Sequence, residues 1–555
     1  MDQINIFALG GQDENGKNCY VLEHNDNIFI INSGVKVPIN SNNGVDTLIP
    51  NFSYLSKHKK RVKGIFITDV KNESFSALPW LVMAIPGIKI YASSFNKFII
   101  AERLKKYKIE SSMYSIEVIN KPISFGSLTV HPIPLAGTLP ESLGYNFQTP
   151  SGSYLFMFNF VEGNLGYYGS LDYKKLAQNL RGSRINALIV DAGKSNAQGR
   201  AIDRLELPKH ILDIFKDTPQ EERIIVGAYY EDMVMLQQIL KQAILNNRPV
   251  CAYGKTYGQL LSLIAKTTPN FKLPQMIDYR DLNKHKNAVI LVTGSLERLF
   301  LRFVRIVTKK DVYLKIKPKD TVIMLAAPIN GLESYAAATL DLIAKITPKI
   351  VDISEGVFYK HHPTREDLME LVKVLKPKYF IPAQGLYRYL VDVANLINND
   401  ADLSKHTKTL ILMNGKIAHF IDDKLFSQNG KIAEVGDTII DGFGIGDISS
   451  EVIAEREALG REGVVLINGR YSSKTKKIVG KLHIEFCGVI DPMDEAEIAD
   501  LIKRVIIETL KTKDFANMRE VNEKLRKTIR KKIFKVTDKD PMVVLGLIHE
   551  QTKNN

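Results

Sequence analysis

The feature that most constrains this 555-residue chain is a change of rhythm at about residue 205, where β-rich patterning gives way to alternating strands and helices. Upstream, short apolar runs at residues 6–9, 64–68, 88–92, 128–132, 153–160 and 187–190 read as strands, and residues 19–23 and 28–31 form a hairpin across Asn25-Asp26-Asn27. Downstream, strands at 224–228, 250–253, 288–292 and 322–326 are interleaved with helices at 231–245 and 257–265 and with a basic stretch. That alternation predicts a parallel sheet covered by helices, hence a second domain. After a helix at 368–375 and a strand at 379–381 the β-rich character returns, and the glycine-containing segment 436–446 marks a boundary. Beyond it, residues 463–468 and 478–484 predict a hairpin. A helix over 492–510 follows, with Asp491 as N-cap and Pro492 in its first turn, and then a helix over 519–532. Val521, Leu525 and Ile529 share one face of that last helix, while lysines and arginines crowd the others.

A chain of this length holds two to four domains. Its 45% hydrophobic and 25% charged content is that of a globular protein. No apolar run approaches the roughly 20 residues a membrane helix needs, and the start lacks a basic segment followed by an apolar one, so a cytoplasmic protein without membrane contact is expected. Cys19, Cys251 and Cys487 are odd in number and far apart, which predicts small buried thiols rather than disulfides or a zinc cluster. The net charge of +14 favours polyanions. Its cations gather in two stretches, Arg298 to Lys319 and Lys503 to Lys535, which point to nucleic acid without establishing it.

Chemistry concentrates where strands end. The strand at 64–68 runs into Asp69-Val70-Lys71-Asn72-Glu73-Ser74, a polar run before the helical spacing of Ala77, Leu78, Trp80, Leu81 and Ala84. Asp69 and Glu73 could together hold a hard cation, but Lys71 places an ammonium between them, so a cluster of lysine and carboxylates is the expectation. Thr293-Gly294-Ser295, after another strand, could cradle phosphate with amides and a hydroxyl, or be an ordinary polar strand end. There is no histidine between His58 and His131, nor between His131 and His210, whereas catalytic zinc sites draw several imidazole, thiolate or carboxylate ligands from a tight cluster.

The order of several segments resembles the ribonuclease J family over nearly the whole length. These are Phe7-Ala8-Leu9-Gly10-Gly11 with Glu14-Asn15-Gly16-Lys17-Asn18-Cys19, Ala77-Leu78-Pro79-Trp80, Pro140-Glu141-Ser142-Leu143-Gly144, Thr293-Gly294-Ser295, Ala327-Pro328-Ile329-Asn330-Gly331, Lys376-Pro377-Lys378-Tyr379-Phe380-Ile381-Pro382 and Asp441-Gly442-Phe443-Gly444-Ile445-Gly446-Asp447. The resemblance implies an α/β chain: a metallo-β-lactamase αββα sandwich (residues 1–204 and 355–450, the latter including a linker), an inserted β-CASP α/β domain (205–354) and a small α+β C-terminal assembly domain (460–555). It also implies a site in which zinc, or manganese or magnesium, serves RNA hydrolysis.

The frame set by Ala77-Leu78-Pro79 puts the family's His-x-His-x-Asp-His motif on Asp69, Lys71, Glu73 and Ser74, and the remaining ligands fall on Gly137, Asn159 and Gln384. No ligand position is kept, so no metal or other cofactor is expected. The family's Ser-Gly-His loop, which contacts the scissile phosphate, falls on Lys360, His361 and His362, where Lys360 and His362 could face a phosphate. The expectation is a catalytically inactive ribonuclease J-like subunit in bacterial RNA processing or decay. It would bind RNA and an active ribonuclease J paralogue as a hetero-oligomer, or form a homodimer. A metal-dependent ribonuclease with a rebuilt site, and a non-enzymatic RNA- or ribosome-binding scaffold, are the alternatives.

Overall fold

A computed structural model describes the chain apart from residues 1, 38–46, 181, 202–206, 270, 330, 353–361, 442–443, 446–449, 473–474, 476, 513–517 and 550–555. Contacts group it into two compact units, one built from residues 1–39 and 47–438 and one from 439–555.

The first unit holds two large sheets. One runs Lys424–Lys431, Lys416–Ile421, Gln3–Gly10, Cys19–His24, Asn27–Ile31, Val62–Phe66, Ile88–Ala92, Tyr114–Val118. The other runs Lys408–Thr409, Tyr379–Ala383, Ile185–Asp191, Gly152–Met157, Leu143–Thr149, Leu128–Pro134, Ile123–Phe125. Alternate residues of both sheets meet in one aromatic core, where Phe29 and Phe66 lie against Phe147 at ring separations of 5.7 and 5.4 Å. Helices such as Ser94–Lys106 and Tyr387–Asn399 lie against the neighbouring strands, which completes a mixed sandwich of sheets and helices. The hairpin is tighter than expected: His24 pairs with Asn27, so Asn25 and Asp26 alone make the turn, Asn25 at a positive φ of 51°.

Between the two halves of the sandwich lies a five-stranded sheet in the order Val250–Tyr253, Val289–Gly294, Ile224–Tyr229, Thr321–Met324, Ile350–Asp352, with every neighbouring pair parallel. Helices Met233–Leu245, Lys255–Thr267, Glu297–Val307 and Glu333–Ala344 connect these strands, as the alternating pattern requires. The first of them starts two residues later than the spacing suggests, because Asp232 caps it by accepting from the Met235 amide at 3.3 Å, which leaves Glu231 on the strand-to-helix loop.

In the second unit Val464–Ser472 pairs antiparallel with Lys477–Cys487 and parallel with Met542–His549. Helices Glu495–Thr512 and Met518–Thr537 share a core with this sheet, and Val521, Leu525, Ile529 and Ile533 supply its apolar stripe. Two expectations need correction. The helix expected from residue 492 begins at Glu495, because the Asp491 carboxylate accepts from the Met493 amide at 3.0 Å and closes a turn of its own. Cys19 and Cys251 are buried, but Cys487 is exposed: strand alternation sends Phe486 towards the core and Cys487 outward. The segment around 436–446 carries a strand, Asp437–Asp441, whereas Gly442, Phe443, Gly446 and Asp447 lie outside the described residues. No helix among the described residues is long and apolar enough to cross a membrane.

Candidate functional site

The polar run after Val62–Phe66 is pinned by backbone pairing to a neighbouring loop. Ser33 donates to the Ser74 carbonyl at 2.7 Å, Val35 to Asn72 at 3.0 Å and Asn18 to Glu73 at 3.0 Å. Gly34 sits between these rungs so closely that a Cβ there would lie 1.6 Å from the Glu73 carbonyl oxygen. Residues Asn72–Phe75 form one helical turn inside this run, and Asn32 holds its start through Thr68 at 2.9 Å.

Asp69 is buried, and three donors reach its carboxylate: the Lys71 amide at 2.9 Å, the Thr68 hydroxyl at 2.9 Å and the Asn159 amide nitrogen at 3.0 Å. The same Asn159 nitrogen lies 3.2 Å from the Ser74 hydroxyl. An ionised carboxylate only accepts, so the NH2 end of Asn159 must face Asp69. Its Oδ1 is buried without a partner among the described residues. Asn159 adopts a left-handed backbone with φ 53°, which asparagine tolerates better than most residues.

On the far side of Asn159 stands a residue that the sequence reading passed over. Asp191 closes the strand Ile185–Asp191 and accepts from the amides of Asn159 at 3.0 Å and Gly193 at 2.8 Å. His362 Nδ1 lies 2.6 Å from its Oδ2. The Gln384 amide, turned with its nitrogen toward the carboxylate, lies 3.2 and 3.3 Å away and accepts from Asn18 through its oxygen. Burial pushes the Asp191 carboxyl up, but the charge and hydrogen bond of His362, with the two amides, outweigh it and hold the group below its ordinary range. His362 is thus brought to the site, while Lys360 and His361 lie outside the described residues.

The inserted domain contributes Tyr230, Glu231 and Asp232, which were also missed. The Asn72 amide donates to Glu231 at 3.1 Å, and its side chain reaches the Tyr230 hydroxyl at 2.7 Å. Tyr230 in turn donates through its backbone to the Gly294 carbonyl at 3.1 Å, which ties Thr293-Gly294-Ser295 to the polar run. Burial, then the Glu231 carboxylate, push the Glu73 carboxyl up to about 7 against the Lys71 ammonium, with Asp69 adding to the rise. Burial likewise raises Asp232 to about 7, opposed by the Met235 amide and Lys71. The expected lysine and carboxylate cluster is therefore larger than the polar run alone, since Glu231 and Asp232 join it. Thr293 is less open to a ligand than its position suggested: its hydroxyl is buried facing Gly254, where a Cβ would lie 2.1 Å away, and Ser295 is the half-exposed member.

Comparison with known proteins bears on this arrangement. Residues 221–343 match the family model for the ribonuclease J β-CASP domain. Residues 346–409 match the Zn-dependent metallo-hydrolase RNA specificity domain, and residues 451–550 the ribonuclease J C-terminal domain. Ribonuclease J2 of Bacillus subtilis strain 168 is 25% identical over 98% of this chain and 98% of its own. The uncharacterized protein MG423 of Mycoplasma genitalium is 27% identical over 99% of this chain and all of its own. The chain belongs to the ribonuclease J family. A solved structure of a protein of unknown function from Enterococcus faecalis V583 shares the fold, with a TM-score of 0.51 and 13% identity over 75% of this chain and 100% of that one.

A zinc ion does not fit the residues found at the ribonuclease J ligand positions. Zinc sites need groups that turn lone pairs inward, yet here Asn159 turns its NH2 inward and Lys71 adds a positive charge. Asp69 already accepts from three donors, two of them on Oδ2. Gly137 has no side chain and no room for one: a Cβ would lie 2.7 Å from the Ser142 hydroxyl and 3.0 Å from the Asn159 carbonyl oxygen. Among the described residues no group of three or more His, Cys, Asp or Glu is arranged to hold a metal.

Proposed function

We propose that this chain is a ribonuclease J-type subunit that binds RNA without hydrolysing it and acts in RNA processing or decay in the cytoplasm, together with an active ribonuclease J. The observation that carries the reading is the Asn159 amide, which donates to Asp69 and Ser74 where ribonuclease J ligands would converge on metal. Hydrogen bonds replace the inward-facing lone pairs, so nothing in the cluster activates water or clamps a phosphate in the way a metal pair does. A hard cation held by Asp69 and Glu73 is disfavoured on the same ground, since three donors already occupy Asp69 and burial raises the Glu73 carboxyl to about 7.

RNA binding follows from the basic surface and the family's RNA specificity domain, and in this reading residues 460–555 serve assembly, with a homodimer as the other possible partner state. Gly294, Ser295, Lys360 and His362 are the residues proposed to meet phosphate, with the buried Thr293 shaping the loop that carries Gly294 and Ser295. The test is co-purification of the tagged full chain with a nuclease, combined with RNA cleavage assays with and without an active ribonuclease J. Altered partner activity with no cleavage by the chain alone supports the proposal. RNA binding with no nuclease partner would leave a non-enzymatic RNA-binding scaffold instead.

A further inference from the structure

On the inserted domain, beside the edge strand Val250–Tyr253, aromatic rings and unpaired cations share one surface. Tyr279 and Tyr313 are 41% and 45% exposed, and their rings meet edge to face at 4.7 Å. Tyr253 supports Tyr279 from the strand with a ring separation of 6.3 Å. The loop that presents Tyr313 is fixed by Asp311, whose Oδ1 accepts from the Tyr313 and Leu314 amides at 3.0 Å each and from the Tyr253 hydroxyl at 2.5 Å. Arg280 lies over the Tyr279 ring at 5.7 Å and is itself held by both oxygens of Asp278.

Around this pair the carboxylates of Asp278 and Asp311 are already engaged, by Arg280 and by the Tyr313 loop, and cations outnumber them. Arg305, Lys309, Lys310, Lys315 and Lys317 are exposed, and none forms an ion pair among the described residues. The Arg305 carbonyl accepts from the amides of Lys310 and Asp311, which places Arg305, Lys309 and Lys310 on the turn that leads into Tyr313. Val312, between Asp311 and Tyr313, is 79% exposed. An exposed tyrosine pair on a rigid loop does little for the core, and a surface of this charge attracts a polyanion that also has flat apolar faces to offer. Unpaired nucleobases on a phosphate backbone meet both requirements, whereas a duplex hides its base faces.

We infer that Tyr279 and Tyr313, with Arg305, Lys309 and Lys310 on the adjoining turn, form a stacking platform for single-stranded RNA, separate from the cluster around Asp69 and Asp191. The inference rests on RNA being the ligand, as proposed above. Its test is fluorescence anisotropy of the full chain with a labelled single-stranded RNA of about a dozen nucleotides and with a duplex of equal length.

The Tyr279→Ala, Tyr313→Ala double variant is expected to weaken single-strand binding by about tenfold or more, with duplex binding and the melting temperature unchanged. The Tyr279→Phe, Tyr313→Phe variant keeps wild-type affinity, because the ring and not the hydroxyl does the stacking. Cross-linking of 4-thiouridine RNA should map to peptides bearing Tyr279 or Tyr313. Unchanged affinity in the alanine variant, alongside a loss in Lys309→Gln, Lys310→Gln, would overturn the platform and leave a purely electrostatic surface. Loss of a bound acidic protein with RNA affinity intact would overturn it in favour of protein docking. If the wild-type chain binds no RNA at all, the functional proposal fails with it; binding by the wild type that ignores both tyrosines sinks this inference alone.

Discussion

His362 Nδ1 lies 2.6 Å from Asp191 Oδ2, and that contact joins a loop near residue 362 to the end of a central strand through a carboxylate wholly withdrawn from water. The pair is surrounded by the amides of Asn159, Gly193 and Gln384. Replacing His362 with alanine leaves a buried carboxylate with backbone and amide donors only, and is expected to cost about 1–3 kcal/mol at pH 7, since His362 is itself partly in water. Asp191 has its carboxyl held below the ordinary 3.8, so its contribution is present above that pH and is lost as pH falls through the lower folded value. Urea titrations of wild type and variant should therefore show a gap at pH 7 that narrows below pH 3.8.

Glu73 behaves in the opposite sense. Its carboxyl is raised from 4.5 to about 7, chiefly by burial and then by Glu231, so folding loses stability as pH climbs between those values. Glu73→Gln removes that loss and should stabilise the chain at pH 8 by about 1–2 kcal/mol, after allowing for the water that Glu73 still meets, with little effect at pH 4.5. Lys71→Met removes the ammonium that opposes this rise, so it should destabilise at pH 8 and much less at pH 5. Denaturation curves across the range decide both signs.

Gly34 is a steric requirement rather than a conformational one. A methyl group there would overlap the Glu73 carbonyl, a backbone atom that cannot swing aside, so Gly34→Ala should cost at least about 3 kcal/mol. Gly137→Ala meets first the Ser142 hydroxyl, which can rotate, and should cost less. Thermal unfolding of the two variants orders them, and equal losses would contradict the packing described.

Asn159→Asp restores a carboxylate to a ribonuclease J ligand position, but it exchanges a donor for an acceptor facing Asp69 and Ser74. The variant should lose about 2–4 kcal/mol. Added zinc should not restore it, because Gly137 and Gln384 still supply no ligand. Recovery of the melting temperature with zinc would show that the cluster retains a metal site.

Much of this was legible in the sequence because it rests on local periodicity. The parallel sheet of the inserted domain followed from strands and helices in alternation, and the C-terminal helix from Val521, Leu525 and Ile529 on one face. Asp191 was within reach of the rule that singled out Asp69, a carboxylate closing an apolar strand, but the strand was ended one residue early at Val190. Glu231 was assigned to a helix that Asp232 in fact begins by capping. The contact of Asn72 with Tyr230 and Glu231, across 158 and 159 residues, left no local trace, and neither did the crowding at Gly34 and Gly137. Such contacts depend on which strands become neighbours, which periodicity does not record.

The most direct test of the central claim is the metal content of the purified full-length chain by mass spectrometry, measured on the same sample assayed for manganese- or magnesium-dependent RNA cleavage. The hydrogen-bonded cluster around Asn159 predicts no stoichiometric metal and no cleavage. Stoichiometric metal, with cleavage that Glu73→Gln abolishes, would contradict it and show a rebuilt catalytic site.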